Sequence, residues 1–154
     1  MSNGTTVKKR NGRGTEPLNL DKIHVMVEEA CNGLAGVSAS QVEIQSGIQF
    51  YDGITTAEIQ EILIRSASDL IDLDHPNYQF VSARLLLFAL RKSLYGRMRE
   101  CPSVKNHTEK CVDMGVYDPE ILNLYSDEEF EKMDSFIDHD RDFLFTYAGL
   151  RQVV

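Results

Sequence analysis

The stretch FVSARLLLFAL, residues 80–90, says more about the fold than any other part of the sequence. Its polar residues are Ser82 and Arg84, so a helix built from it is apolar on nearly every side. A helix of this kind is surrounded by other elements, whereas a surface helix has one polar face. The sequence therefore predicts a helix from about Pro76 to Tyr95 in the middle of a bundle, ended by Gly96.

Three earlier helices are predicted to surround it. The first carries one apolar stripe at helical spacing and is closed by Gly33 and Gly36. The members of that stripe are Ile23, Met26, Val27, Ala30, Cys31 and Leu34. The third helix opens at Thr55 or Thr56, with Glu58 in the capping-box position, and repeats the pattern. Its stripe is Ile59, Ile62, Leu63, Ala67, Leu70 and Ile71. Between them a second helix, capped by Ser38 and Gln41, carries a weaker stripe of Val42, Ile44 and Ile48.

A short β-hairpin is predicted ahead of the bundle. Its first strand runs from about Thr6 to Arg10, Asn11-Gly12 is a turn signal, and Thr15 to Leu18 returns. A boundary is predicted after residue 96, because the chain becomes polar and proline-bearing from Arg97 to Pro102. The fold class is therefore mainly α: residues 1–96 form a hairpin-capped four-helix domain, and residues 97–154 form a helical segment.

The helical segment is strongly acidic. It holds a helix capped by Ser126 and Glu129, and a last helix is predicted from about Asp138 to the end. The net charge of −8 arises between Val116 and Asp142, where ten acidic residues face two basic ones. The DHDRD run around His139 suggests a metal site, but a helix would place its acidic and imidazole groups on different faces. A solvated or hydrogen-bonded turn is the favoured interpretation.

Cysteine usage and hydropathy narrow the class of protein. The three cysteines, Cys31, Cys101 and Cys111, lack CxxC spacing, which argues against a disulfide framework and a zinc site. A reducing, cytoplasmic location fits this pattern. The chain has no apolar run of about 18 residues and no apolar stretch after its basic start. Neither a membrane span nor a signal peptide is therefore predicted.

The segment TEPLNLDKI, residues 15–23, places a lysine where a helix is expected to begin. Lys22 lies in the first turn of a helix, where the helix dipole disfavours a cation unless an anion is close. Lys9 and Arg10 on the hairpin can fold over the same helix end, and the first backbone N–H groups of the helix can bind phosphate oxygens. A compact basic tip of this kind suits a small anion better than a long nucleic acid. A solvated charged terminus remains the alternative at this point.

Two further side chains suggest a nucleotide rather than bare phosphate. Glu16 offers an acceptor and Asn19 an amide, and either can bind a ribose hydroxyl or a base edge. The sequence contains neither GxGxxG nor GxxxxGK(S/T), so the site is not a Rossmann or P-loop site.

Seven motifs in order resemble the ATP-cone at the N-terminus of the large subunit of class Ia ribonucleotide reductase. They are VKKR, NG, TE, NLDKI, QFYDGITT, NYQFVSARL and LRK. YDPEILNLYSDEEF and FIDHDRDFLFTYAG resemble the helical segment that joins the cone to the catalytic barrel. The resemblance covers the whole chain. It implies a cone over residues 1–96 that senses nucleotides, with ATP as activator and dATP as inhibitor.

The resemblance also implies roles for individual residues. Phosphate contacts fall to Lys9, Arg10, Lys22 and Lys92. Adenine contacts fall to Glu16 and Asn19. The rest of the pocket is lined by Pro17, Leu18, Leu20, Asp21, Thr56, Ile59 and Phe88. Without the resemblance, Lys92 reads equally well as a cation at a helix C-terminus. Gln60 departs from the family, which often has a histidine there beside the sugar.

The implied protein is the regulatory portion of a ribonucleoside-diphosphate reductase, either a fragment or one product of a split gene. Its effector is ATP or dATP with Mg²⁺ on the phosphates. No catalytic residue, metal ligand or redox cofactor falls within the chain. Its implied partners are the catalytic part of the large subunit and the small radical-generating subunit in an oligomeric assembly, with no nucleic acid or membrane.

Two other functions were open from the sequence. A helical interaction module without nucleotide would dock its basic hairpin on an acidic partner. A cone-bearing DNA-binding repressor would need paired cysteines ahead of the cone, but no cysteine stands among the seven residues before Lys8.

Overall fold

The structure, a computed structural model, describes residues 4–9 and 14–154. The chain forms two compact units. The first contains the residues up to Leu90 together with Phe143–Val154, and the second contains Arg91–Asp142. The fold is mainly helical with a small sheet near the N-terminus, as the sequence predicts. In the described part of the chain, no helix has both the length and the apolar character needed to cross a bilayer.

The sheet has three strands in the order β2-β1-β3. β1 (Thr6–Lys8) pairs antiparallel with β2 (Thr15–Pro17), which confirms the hairpin. Its Asn11-Gly12 turn lies outside the described residues. β3 (Ile54–Thr55) pairs in parallel with the other edge of β1 and was not predicted. Two residues are too few to carry a strand pattern, so this pairing comes from tertiary contact.

Asp52 fastens the hairpin to the loop ahead of β3. One of its carboxylate oxygens accepts hydrogen bonds from the backbone N–H of Thr6 at 2.8 Å and from the Thr6 hydroxyl at 2.7 Å. The next residue, Gly53, has a φ of 80°, which favours glycine, and donates its N–H to the Thr6 carbonyl at 2.9 Å. The Thr6 hydroxyl is the main reason that the pKa of Asp52 lies below its ordinary value.

The four helices of the bundle are α1 (Leu20–Cys31), α2 (Ala39–Gly47), α3 (Thr56–Asp69) and α4 (Tyr78–Tyr95). The Ser38 side chain accepts from the N–H of Gln41, and Thr55 forms a complete capping box with Glu58. Both are the predicted capping positions, because a short polar side chain at the helix start satisfies an otherwise unpaired N–H.

The core of the first unit surrounds α4. Val81, Leu85 and Phe88 of α4 are at most 2% exposed, which confirms the central position predicted for this helix. The stripe predicted for α2 is wrong beyond Val42, since Ile44 and Ile48 are 68% and 82% exposed. Isolated exposed apolar residues are common on protein surfaces, so a weak stripe is a poor guide to burial.

Six residues predicted for the buried stripes of α1 and α3 are less buried than expected: Met26, Cys31, Leu34, Ile62, Leu70 and Ile71. Cys31 is half-buried rather than a full core residue, and burial raises the pKa of its thiol to about 11. Ile71, just past the end of α3, is 39% exposed.

The second unit contains α5 (Val104–Asp113), α6 (Ile121–Leu124) and α7 (Asp127–Phe136). α7 starts with the predicted capping box of Ser126 and Glu129. α5 and α7 are joined by polar contacts, because Asp134 accepts from the N–H of Val104 and Asp127 pairs with Lys105.

The end of the chain differs from the single helix predicted from Asp138. A 3₁₀ helix covers His139–Leu144, and a short α8 (Tyr147–Arg151) follows. Thr146 starts the second piece by accepting from the N–H of Gly149 at 3.2 Å. An N-cap residue in the middle of the predicted helix therefore divides it.

The contacts of Arg84 explain why the almost wholly apolar α4 carries one cation at this position. One of its guanidinium nitrogens donates to the carbonyls of Ala30 and Asn32, at 3.1 Å and 2.7 Å, where α1 ends. Its guanidinium also lies 5.4 Å from the ring centroid of Phe143, and Phe143 packs edge-on against Phe88 at 6.2 Å. The C-terminal segment of the first unit thus packs on α4.

We expect Leu63→Ala to lower the free energy of unfolding by about 2 to 5 kcal/mol, because Leu63 is fully buried and its loss leaves a cavity. Chemical denaturation followed by circular dichroism measures this change. The matched control is Ile44→Ala on the exposed face of α2, which we expect to stay within about 0.5 kcal/mol of the wild type. A similar loss in both variants would contradict the burial pattern.

We expect Asp52 to make stability depend on pH. Its folded pKa is lowered, so its contribution is present above the unfolded value, ordinarily 3.8, and is lost as pH falls through the folded pKa. Asp52→Asn keeps the size and shape of the side chain but removes its titratable carboxyl group. The wild type should therefore melt at a higher temperature than the variant at pH 7, and the gap should close in acid. A gap that stays constant down to acid pH would disprove this role.

Candidate nucleotide site

A groove lies where β2 runs into α1. It has a volume of about 470 Å³ and is lined by seven consecutive residues. They are Glu16, Pro17, Leu18, Asn19, Leu20, Asp21 and Lys22. The volume falls within the range of about 300 to 1,000 Å³ that small-molecule sites occupy. The stretch predicted to wrap a nucleotide therefore forms one concave surface, and its role toward a nucleotide stays a prediction.

The path of the backbone shapes this groove. The N–H of Leu18 donates to the Thr5 carbonyl at 2.8 Å, which closes the hairpin one residue beyond β2. Asn19 is extended, with a φ of −103°, and its side-chain oxygen accepts from the N–H of Lys22 at 3.1 Å. Asn19 is thus the N-cap of α1, a role that sequence reasoning missed although asparagine is a preferred capping residue. Its amide nitrogen is the part of the side chain that could donate to a ligand.

The start of α1 attracts anions. The first N–H groups of a helix have no partner within it, and the helix dipole adds partial positive charge at this end. Asn19 satisfies one of these groups, and Asp21 places a negative charge in the first turn. Phosphate oxygens bind readily at such a helix end.

Glu16 brings together two of the cations predicted to bind phosphate. One of its oxygens lies 2.9 Å from the ammonium nitrogen of Lys9, and the other lies 3.9 Å from that of Lys22. Lys9 comes from the end of β1 and Lys22 from the first turn of α1, so two separate elements deliver positive charge beside the groove. Arg10, the third predicted phosphate contact, lies outside the described residues.

Lys8 is oriented differently from its neighbour. A Cβ added at Gly53 would lie 3.7 Å from the Cε of Lys8, so this side chain passes over the loop ahead of β3. Its charge helps to lower the pKa values of Asp52 and Glu58, although threonine hydroxyls are the larger cause for both. Lys8 therefore serves the hairpin attachment.

The residues predicted on α3 lie close to the hairpin. The hydroxyl of Thr56 donates to the backbone carbonyl of Lys8 at 3.4 Å, a long hydrogen bond that links α3 to β1. Ile59, one turn further, is 5% exposed, and its neighbour Gln60 is 6% exposed. Both side chains face the interior of the first unit.

The two residues predicted on α4 have different surroundings. Phe88 is 1% exposed and packs on Phe143 within the first unit. Lys92 is exposed near the C-terminal end of the helix and belongs to the second unit. Its predicted phosphate contact stays a prediction, and so does the alternative of a cation beside the last carbonyls of α4.

Other candidate sites have structural explanations. Asp142, in the run that suggested a metal, binds Arg91 at 2.7 Å, and the Arg91 side chain is only 6% exposed. Over residues 4–9 and 14–154, no three histidine, cysteine or acidic side chains converge as metal ligands. All three cysteines are free thiols. Sequence reasoning gave no role to Asp52, although an Asp-Gly pair before a short strand marks the turn where it acts.

Comparison with known proteins identifies the family of this chain. A family model described as the ATP cone domain matches residues 5–93, more than half of the chain. The ribonucleoside-diphosphate reductase 1 subunit alpha of Escherichia coli is 51% identical over 153 residues, which is 99% of this chain and 20% of the relative. The alpha subunit from Haemophilus influenzae is 47% identical over the same shares. That from Helicobacter pylori is 40% identical over 95% of this chain and 18% of the relative.

The chain thus spans about a fifth of the length of the curated relatives it matches. The matched region contains the hairpin, the groove, α1 to α3 and all but the last two residues of α4. From this match and this architecture we conclude that the chain belongs to the ATP-cone domain family.

Proposed function

We propose that this chain is the activity-regulating part of a ribonucleoside-diphosphate reductase large subunit, with ATP as activator and dATP as inhibitor. The observation that carries the proposal is the meeting of Lys9 and Lys22 beside a groove at the start of α1. The relatives carry the name of the reductase alpha subunit, which supports the choice of enzyme. Catalysis itself belongs to the remainder of such a subunit.

The phosphates would lie at the N-terminus of α1. Lys9 and Lys22 supply opposite charge there, and the first N–H groups of the helix supply directed donors. Arg10, which lies outside the described residues, and Lys92, which belongs to the second unit, stay predicted phosphate contacts. Mg²⁺ commonly binds through phosphate oxygens and one or two carboxylates, and Glu16 and Asp21 are the carboxylates that line the groove. These residues would suit a Mg²⁺ ion that enters the groove already bound to the nucleotide's phosphates.

The adenine and ribose would occupy the rest of the groove. Glu16 can accept from the amino group of adenine, and the amide nitrogen of Asn19 can donate to a ring nitrogen. Thr56, Ile59 and Phe88 stay predicted members of the pocket from α3 and α4. Since Ile59 and Phe88 are buried, they would support its wall from within the first unit.

Regulation requires ATP and dATP to stabilise different states of the protein. They differ by one hydroxyl, and a ligand that binds two states equally shifts nothing. Coupling between an effector site and a distant site is typically about 1 to 3 kcal/mol. The hairpin is joined to the loop ahead of β3 by the Thr6–Asp52 hydrogen bonds and to α3 by the Thr56–Lys8 hydrogen bond. A ligand that moves the hairpin therefore also acts on the bundle.

The proposed setting follows from the same assignment. The partners are the catalytic part of the large subunit and the small radical-generating subunit, in an oligomeric assembly that controls deoxyribonucleotide supply for DNA replication. The cytoplasmic location predicted from the cysteine pattern belongs to this proposal.

We expect Lys22→Ala to weaken ATP binding by about 10- to 100-fold, because it removes a charge-assisted contact to phosphate. Isothermal titration calorimetry of the chain with ATP and with dATP measures the effect. Lys132→Ala on α7 removes the same charge from the second unit and should bind like the wild type.

The titration also tests the rival function. Heat from both nucleotides that is lost in Lys22→Ala supports the cone. No binding by the wild-type chain would favour a helical interaction module and reject a nucleotide site. Equal losses in Lys22→Ala and Lys132→Ala would show that net charge, rather than the groove, governs binding.

A further inference from the structure

The carboxylate of Glu16 lies between the two ammonium groups that the proposed function assigns to phosphate. Its two oxygens are shared, one toward Lys9 at 2.9 Å and the other toward Lys22 at 3.9 Å. We propose that Glu16 is an internal counterion of this site, which a polyphosphate must displace, so that affinity depends steeply on the number of charges on the ligand. This inference rests on the proposed function and deepens it.

The strand register places Glu16 where it can act. Glu16 lies directly opposite Val7 in the antiparallel pair, and Lys9 follows Val7 by two residues. Side chains two apart in an extended chain point to one face, and the diagonal neighbour across two strands is within reach of long side chains. The N–H of Lys9 bonds to the Gly14 carbonyl at 3.1 Å, which continues the pairing to this residue.

Lys22 reaches the same carboxylate from another element. It stands in the first turn of α1, and the cap at Asn19 holds its backbone. Three elements thus contribute one charged side chain each: Lys9 at the end of β1, Glu16 on β2 and Lys22 on α1. Two cations near the positive end of a helix dipole repel each other and the dipole, and a carboxylate between them offsets this repulsion.

Displacement of Glu16 costs little folding stability. The side chains of Lys9, Glu16 and Lys22 are 45%, 35% and 71% exposed. Ion pairs with this exposure contribute little, because water screens them and long side chains lose entropy when they are held. The local charge of the trio is +1, so a singly charged ligand gains little over the resident carboxylate, whereas a triphosphate competes with several charges.

The released carboxylate has a second use in the proposed pocket. Once phosphate holds both lysines, Glu16 can turn to the amino group of adenine. In a Glu16→Gln variant the two roles change the affinity for ATP in opposite directions. Loss of the competing carboxylate strengthens phosphate binding, and loss of the charged acceptor weakens adenine binding. A ligand with phosphates and no base separates the two effects.

Inorganic tripolyphosphate is that ligand. We expect Glu16→Gln to bind tripolyphosphate about fivefold more tightly than the wild-type chain in low salt, because the single negative charge that lies near both lysines is removed. The gain for ATP should be smaller, and the gain for tripolyphosphate should shrink as salt is raised. Isothermal titration calorimetry of the full 154-residue chain gives both affinities.

Two variants serve as controls. Glu131→Gln removes the same charge from α7 and should leave tripolyphosphate binding unchanged. Glu16→Asp keeps the carboxylate and should stay closer to the wild type than Glu16→Gln does. Circular dichroism checks the fold of each variant. In the wild-type chain, tripolyphosphate should also shift the carboxyl-carbon NMR signal of Glu16, which tests the displacement without any substitution.

The outcomes separate this inference from the proposed function. If the wild type binds ATP but Glu16→Gln does not bind tripolyphosphate more tightly, the counterion role is wrong and the cone function stands. An equal gain in Glu131→Gln would also overturn the role, since net charge would explain it. If the wild type binds neither ATP nor tripolyphosphate, the proposed function and this inference both fail.

Discussion

The pairing of β1 with two partners is the constraint on which the proposed site depends. β2 continues into α1 after a short extended link, and β3 continues directly into α3. Because β1 lies between them in the sheet, the starts of both helices are held relative to the hairpin. The Thr6–Asp52 contact secures one edge, and the register of Val7 with Glu16 secures the other. Three-residue strands are weak alone, so the hydrogen bonds from Thr6 to Asp52 add to what the ladder provides.

Charge is distributed around this sheet in two groups with different tasks. Lys8 lies over the loop of Asp52 and Gly53, where it supports the attachment of the hairpin. Lys9 turns to Glu16 and Lys22 beside the groove. Successive residues of a strand point to opposite faces, so the two adjacent lysines divide between the face toward the β3 loop and the face of the proposed nucleotide site. The sequence alone shows a basic cluster without showing this division.

The differences between expectation and structure share one origin. The stripes of α1 and α3 are correct for the residues at their centres, and the almost wholly apolar α4 lies in the core as expected. Many apolar residues in one helix leave few ways to bury them. The short stripe of α2 failed, since a helix with one buried contact such as Val42 can leave Ile44 in water. The last helix divided at Thr146, whose hydroxyl competes for a backbone N–H. A long apolar pattern thus predicts a helix and its buried face reliably. A short pattern is less reliable, and a helix can end early where a side chain accepts a hydrogen bond from a backbone N–H.

The sequence by itself determined the helical bundle, the apolar helix at its centre, the capping positions Ser38, Thr55 and Ser126, and the segment that forms the groove. These features follow from periodicity and from local hydrogen bonding, which act over a few residues. Only the tertiary structure decided the third strand and the bridge from Lys9 through Glu16 to Lys22. Strand pairing and charge pairing join residues of separate elements, and their geometry depends on how those elements pack.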